Sequence, residues 1–451
     1  MFRLPLERLE QLYLRAFDSE FLRRIVRNSG YLVSATVISA GFGMVQNVFQ
    51  ARALEPAGLG LLAVMASFTN VLNRFTAFRI DELVVKFVRL YEERKQRDRA
   101  AAVYKLAALF EVLGALAAFL LIVWLAPLGV RYLSDQPGVE SLFILYGTLV
   151  LINMVFDSSD GILQVFNKFN VKSIIDISQS LVRLVLTILV FIAHGGLMGM
   201  ILAELAGRMV RSAAIVLMAL RTAQREWGAG WWRTPLSVLK SDRRSLYTFA
   251  FSTNASATIS LVAKDSEDLW VNAFLGNAVG GIYAIARTLI GFLQIPISPL
   301  PSTTYPELSR AVAQNDWKNV RGVLQRGSLL ALIYSLPVTL FLIVFGRQVI
   351  LLFGEKYLPA YLPLVILLIG FGFTNIFYWN RAALLALNRP VYPTMINFIG
   401  MILKVTGIFL FAGFGAVAFA ALLAGYYIFT VGLAAIKVQR DVRARLASVP
   451  A

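Results

Sequence analysis

Apolar runs of close to twenty residues recur along the whole chain, and a segment of that length crosses roughly 30 Å of hydrocarbon as one helix. They fall at about 30–50, 57–75, 101–124, 139–158, 173–193, 196–219, 246–266, 279–300, 327–346, 361–381, 391–411 and 414–436. A lipid-exposed chain must satisfy its backbone polar groups internally, so these runs are expected to be helices. The predicted fold class is therefore an all-α polytopic membrane protein with about twelve transmembrane helices. Composition agrees, because 58% of the residues are hydrophobic and only 15% are charged, too little polar surface to cover a soluble chain of this size. The absence of cysteine and the single histidine, His194, leave no basis for a disulfide framework, a thiolate metal site or a His-based catalytic triad. No metal and no cofactor are expected.

The formal charge of +17 is explained by where the basic residues stand. If the first tail and the even-numbered loops share one side, that side holds about 35 of the 43 Lys and Arg, as the positive-inside rule requires. The opposite loops hold about five: Arg52, Arg131, Lys264, Arg347 and Lys356. Both termini are thus expected in the cytoplasm, with the basic loops against anionic lipid headgroups rather than nucleic acid. Residues 1–27 read as an interfacial amphipathic helix and not as a signal peptide, because Arg and Glu recur at helical spacing among the apolar residues. Residues 28–222 form an N-lobe with spans one to six, and 223–245 a cytoplasmic linker with an amphipathic helix. A C-lobe with spans seven to twelve occupies 246–437, and 438–451 is a cytoplasmic tail. Stretches 76–100 and 301–326 also read as surface helices, and Trp227, Trp231 and Trp232 fit an interfacial belt.

Shifting the sequence by about 221 residues aligns it with itself: Leu54, Ala57, Gly60 and Ala63 fall on Leu275, Ala278, Gly281 and Ala284, and Arg183 falls on Lys404. Each half has an even number of spans, so the halves enter the membrane in the same direction. They are expected to be parallel six-helix repeats about an axis along the membrane normal, around a central cavity.

Several segments resemble the polysaccharide-transport branch of the multidrug/oligosaccharidyl-lipid/polysaccharide flippase superfamily. Ala51 to Gly60 (ARALEPAGLG) is similar to that family's segment between the first two helices, and Asp268 to Ala284 (DLWVNAFLGNAVGGIYA) matches it more closely. Arg79 to Val88 (RIDELVVKFV), Tyr305 to Ser309 (YPELS) and Leu352 to Tyr357 (LFGEKY) resemble its segments after helices two, eight and nine. Glu55 and Arg79 stand where the family often has glycine, and Leu61 and Leu62 where it has an aromatic residue. The resemblance implies a flippase, not an enzyme, carrying undecaprenyl-diphosphate-linked oligosaccharides such as O-antigen units across a bacterial or archaeal inner membrane. It also implies work beside a polysaccharide polymerase and glycosyltransferases in building the cell envelope. A monomer is expected.

Charges at membrane depth are costly and usually face protein or water. Arg183, Arg287 and Lys404 stand out among the basic residues inside the spans, and a guanidinium or ammonium suits the oxygens of a diphosphate. They are the candidates for holding the substrate diphosphate, unless each pairs with a carboxylate of its own half, for which Glu111 and Glu204 are available. Lys264, Asp265 and Asp268 at the end of span seven, with Glu111 and Glu204, are candidates for lining the cavity, for ion coupling or for an outer gate. The aligned position of the span-seven cluster puts it in the outer third of the bilayer. Arg74, Arg79, Asp157 and Arg381 are candidates for a cytoplasmic gate, with Asp81, Glu82 and Asp160 nearby. Pro296, Pro299 and Pro301 are expected to break the end of span eight, and His194 to occupy a tight turn. The chain lacks a GxxxxGK[ST] phosphate loop, so ATP use is not expected; coupling to Na+ or H+ stays open. The competing readings are a multidrug or cation antiporter, which needs carboxylates at mid-membrane, and a non-transporting scaffold, in which the buried charges would be dispensable.

Overall fold

The computed structural model describes residues 20–76, 80–242, 244, 246, 261–389 and 391–447. The predicted interfacial helix therefore lies outside the described residues up to position 19, as does Arg79. Among the described residues the chain is helical throughout, without a strand. The first element, α1 (Glu20–Thr76), doubles back at Glu55. It is followed by α2 (Ile80–Glu93), α3 (Arg97–Leu133), α4 (Glu140–Ile152), α5 (Phe156–Val165), α6 (Phe169–Ile192) and α7 (Gly196–Trp227). After a π-turn at Leu261–Asp265 come α8 (Glu267–Gln294), which doubles back at Gly276, then α9 (Leu300–Ala313) and α10 (Trp317–Leu351). The chain closes with α11 (Tyr361–Ile376), α12 (Asn380–Ala386), α13 (Val391–Phe411) and α14 (Ala416–Ala447).

Nine helical segments among the described residues are long and apolar enough to cross a membrane. Two of them, Ser34–Thr76 and Leu261–Gln294, each supply two arms because of their corners. With α7, equally long but carrying Glu204, Arg208 and Arg211, the count reaches the twelve expected. Where the sequence led to an amphipathic helix in the linker, α7 runs on to Trp227 and two 3-10 turns follow, Trp231–Arg233 and Leu236–Leu239. Trp227 and Trp231 pack around the Tyr104 ring, while Trp232 stays exposed. The prolines do break span eight: α8 ends at Gln294 and helix resumes at Leu300.

The repeat is visible in the backbone. Positive φ angles at Glu55 (55°), Asn167 (54°) and His194 (51°) recur at Gly276 (78°), Asn388 (57°) and Gly415 (73°), each 221 residues on. These residues set the tight turns between antiparallel helices, so both halves turn their corners at the same places. The halves meet reciprocally. A Cβ on Gly60 would stand 1.8 Å from the Asn277 carbonyl oxygen, and one on Gly281 would stand 1.9 Å from that of Pro56. Pro56 and Asn277 are themselves equivalent positions, so this is the self-complementary contact of a pseudo-two-fold axis. Small residues allow two backbones this close without lipid between them.

One apolar core is shared at the end that carries the Glu55 and Gly276 corners. It joins Leu61, Met65 and Phe143 of the first half to Tyr283, Phe353 and Phe419 of the second. At the opposite, basic end the cores are separate: one draws only on residues 80–246, the other only on 297–442. The molecule is therefore two bundles joined at the corner end and individually packed at the basic end.

Candidate functional site

Arg183 leaves α6 and crosses the bare backbone of Gly207 on α7; a Cβ there would stand 2.0 Å from the arginine Cγ. This positions its guanidinium on Glu204, 2.5 Å away. Arg208, one helical turn beyond Glu204, reaches the other carboxylate oxygen at 3.1 Å. Two cations thus share one carboxylate that is 7% exposed, while the Arg183 side chain stays 23% exposed. The Arg183 Nε is buried without a hydrogen-bond acceptor. Arg183, Glu204, Tyr146, Asn47 and Gln50 line a cavity of ≈ 190 Å³ whose opposite wall is Ala284, Ile285 and Thr288 of α8. The cavity lies between the two halves.

Arg287, one residue before Thr288, pairs with Asp268 at 2.8 Å. The Asp268 carboxylate also accepts a hydrogen bond from Ser67 of the first half, at 3.0 Å. Arg287 is a third exposed, and its Nη1 lacks an in-line hydrogen-bond acceptor.

Lys404 corrects the expected trio. Its side chain is 1% exposed, and it is held by the Glu267 carboxylate and the Ala263 carbonyl. Tyr283 donates a further hydrogen bond to Glu267 at 3.0 Å. An ammonium closed in this way has no face left for a ligand. Each of the three cations pairs with a carboxylate of its own half, the alternative considered from sequence, although Asp268 and Glu267 do so and Glu111 does not. Glu111 instead accepts the backbone N–H groups of Asp157 and Ser158, at 2.6 and 3.0 Å, at the start of α5.

The expected gates are also rearranged. Lys264 lies twelve residues before the Gly276 corner, about 18 Å of helix. Closure at the corner end falls to other residues. Lys356 pairs with Glu55 at 2.5 Å, Arg52 donates to the Leu352 carbonyl at 2.9 Å, and Tyr357 donates to the Ala51 carbonyl at 2.9 Å. Asp135 and Asn277 exchange two hydrogen bonds of 2.9 and 2.7 Å. Toward the other end, among the described residues, Arg74 bridges the halves to Asp265 at 2.5 Å. Asp157 lines a cavity of ≈ 210 Å³ inside the first half with Glu111, Arg208 and Arg211. Arg381 lines one of ≈ 330 Å³ inside the second half with Lys264. These two expected gate residues therefore do not meet.

Sequence reading passed over Arg208 and Arg211, although both fall inside span six, where a cation costs as much as at Arg183. Their spacing signalled the geometry: Glu204 and Arg208 are four residues apart on one helix face, and Arg211 pairs with Asp176 of α6 at 2.7 Å. Lys356 and Tyr357 stood in a recognised segment, but nothing local indicated that they cross to Glu55 and Ala51.

The sequence pattern of the family described as Polysaccharide biosynthesis protein matches residues 25–312. The inner membrane protein YghQ of Escherichia coli (strain K12) is 25% identical over 354 residues, covering 76% of this chain and 97% of YghQ. Among solved structures, an inward-facing multidrug resistance MATE family transporter of the MOP superfamily superposes with a TM-score of 0.76 at 12% identity, over 91% of this chain and 96% of that one. The lipid II flippase MurJ in an inward closed conformation gives 0.67 at 16% identity, over 92% of this chain and 89% of MurJ. At these identities the two structures establish the shared fold.

Proposed function

The chain belongs to the polysaccharide biosynthesis protein family, and from that premise we propose that it is a flippase for lipid-linked oligosaccharide. The substrate class is an undecaprenyl-diphosphate-linked glycan, moved from the cytoplasmic to the periplasmic leaflet of the inner membrane. The basic end of the molecule is cytoplasmic, and residues 28–222 and 246–437 are the two bodies that rock against each other. The separate cores at the basic end suit a state that admits substrate from the cytoplasm, with Glu55 and Lys356 closing the periplasmic side.

One observation carries this reading: a cavity between the halves is lined by Arg183, whose charge is only half cancelled because Glu204 is shared with Arg208. Part of the Arg183 side chain stays exposed at this cavity, and a guanidinium suits phosphate oxygens. Arg287 is the second ligand, released from Asp268 as the glycan-lipid enters. Lys404 holds its own half together and takes no part in binding.

The test is translocation of a fluorescent diphosphate-linked oligosaccharide in proteoliposomes. Arg183→Ala is expected to lower the rate at least tenfold with normal insertion. Gly207→Ala, which pushes the Arg183 side chain aside, is expected to lower it in the same direction. Full activity in Arg183→Ala/Arg287→Ala would sink the assignment. An antiporter of cationic drugs would respond to Glu204→Gln and not to Arg183→Ala, and a scaffold would tolerate both.

A further inference from the structure

The cavity inside the second half is unlike the one between the halves. It holds ≈ 330 Å³ among the π-turn, α11, α12, α13 and α14, and its lining contains Lys264, Arg381, Thr374, Asn397, Tyr426 and Tyr427. No carboxylate is among its described lining residues. Lys264 is held by aromatic faces instead: its ammonium lies 5.1 Å from the Tyr427 ring centroid and 5.7 Å from that of Tyr426. Ring quadrupoles orient a cation and leave its formal charge uncancelled. The neighbouring Asp265 is engaged by Arg74 and Glu267 by Lys404. Among the described residues neither Lys264 nor Arg381 forms an ion pair, so two net positive charges face one polar pocket.

The repeat supplies an independent observation. Arg381 corresponds to Asp160 (381 − 221) and Asn397 to Asp176 (397 − 221). In the first half both carboxylates are closed by internal salt bridges, Asp160 with Lys172 and Asp176 with Arg211, each at 2.7 Å. The second half has reversed one charge and neutralised the other, and has left the space open. Like charges facing one pocket repel each other, and a bound anion would offset that repulsion.

We propose that the second half carries its own oxyanion site, taking a phosphate or diphosphate group between Lys264 and Arg381, with the amide of Asn397 as a further donor. The site is separate from the cavity lined by Arg183, so it adds to the proposed transport reading without depending on it. The same chemistry can reach it as a soluble phosphate or as the headgroup of an anionic lipid.

The experiment uses the full chain in detergent with Arg183→Gln/Arg287→Gln as background, so that neither proposed ligand of the site between the halves contributes. Inorganic pyrophosphate is titrated by calorimetry. Separately, thermal unfolding is followed in phosphatidylcholine nanodiscs with and without phosphatidylglycerol. Pyrophosphate is expected to bind, with affinity at least tenfold weaker after adding Lys264→Gln or Arg381→Gln; the exposed Arg381 is the variant that leaves folding intact. Pyrophosphate binding that these variants weaken assigns a soluble ligand. A phosphatidylglycerol-dependent rise in unfolding temperature that they remove assigns a lipid headgroup. Absence of both responses, or responses that Arg381→Gln leaves at full strength in a folded protein, overturns the proposal.

Discussion

A lysine in the middle of an apolar span is tolerated in one of two ways: it faces water or a ligand, or it is neutralised in place. The sequence alone cannot separate these, because Lys404 and its repeat partner Arg183 sit in equally apolar surroundings. The difference lies with residues far along the chain. Glu267 stands 137 residues from Lys404 and meets it with both side chains at or below 1% exposure, whereas Glu204 is shared and leaves Arg183 a quarter open. Removing one partner of a closed pair strands the other, so Lys404→Met is expected to cost about 3–5 kcal/mol. Lys404→Met/Glu267→Leu should recover most of that loss, since replacing a buried pair by apolar side chains of similar volume is often neutral. Denaturation in detergent reads both, and the double variant should still flip substrate. Loss of flipping in a stable double variant would return Lys404 to the ligand set.

At the scale of elements, the spans were legible because hydrocarbon thickness fixes helix length, and the prolines and His194 marked breaks where breaks occur. The corners were legible only in part. Gly276 has φ 78° and ψ 170°, a region that glycine alone enters freely, and Glu55 occupies the equivalent place at φ 55° and ψ 176°. Such a backbone costs a non-glycine residue about 1–3 kcal/mol, while the exposed pair of Glu55 with Lys356 is worth about 0–1 kcal/mol. Glu55→Gly is therefore expected to raise the unfolding temperature even as it removes the ion pair. On the basic end, Tyr91 of α2 donates to Asp242 at 2.7 Å and ties the linker to the first bundle. Burial, and then the adjacent Asp242 carboxylate, push its hydroxyl up to about 12. A raised folded-state value means that this tie contributes fully below the ordinary tyrosine range near 10 and is lost as pH climbs through about 12. Fluorescence of the neighbouring Trp231 should report linker release across that interval, and Tyr91→Phe should flatten the profile.

At the scale of the molecule, the two-fold relation was readable from an offset of 221 residues, yet which end stays closed was not. Closure depends on contacts between Glu55 and Lys356, Ala51 and Tyr357, and Gly60 and Asn277, pairs that local pattern cannot connect. These contacts must part if the halves exchange access, because the shared core and the reciprocal glycine crossing hold the bundles together at one end only. The chain contains no cysteine, so a pair introduced as Glu55→Cys/Lys356→Cys reports on that end without background. Bridging the pair with a short bis-maleimide is expected to stop translocation, and the same reagent on either single variant should leave it running. Gly281→Ala places a Cβ 1.9 Å from the Pro56 carbonyl oxygen and should hold the corner end apart. Bridging yield should then fall severalfold, with greater labelling of the thiol introduced by Lys356→Cys. Bridged protein that translocates at the unbridged rate would mean that the substrate passes without the corner end opening, and the rocking of the halves would have to be abandoned.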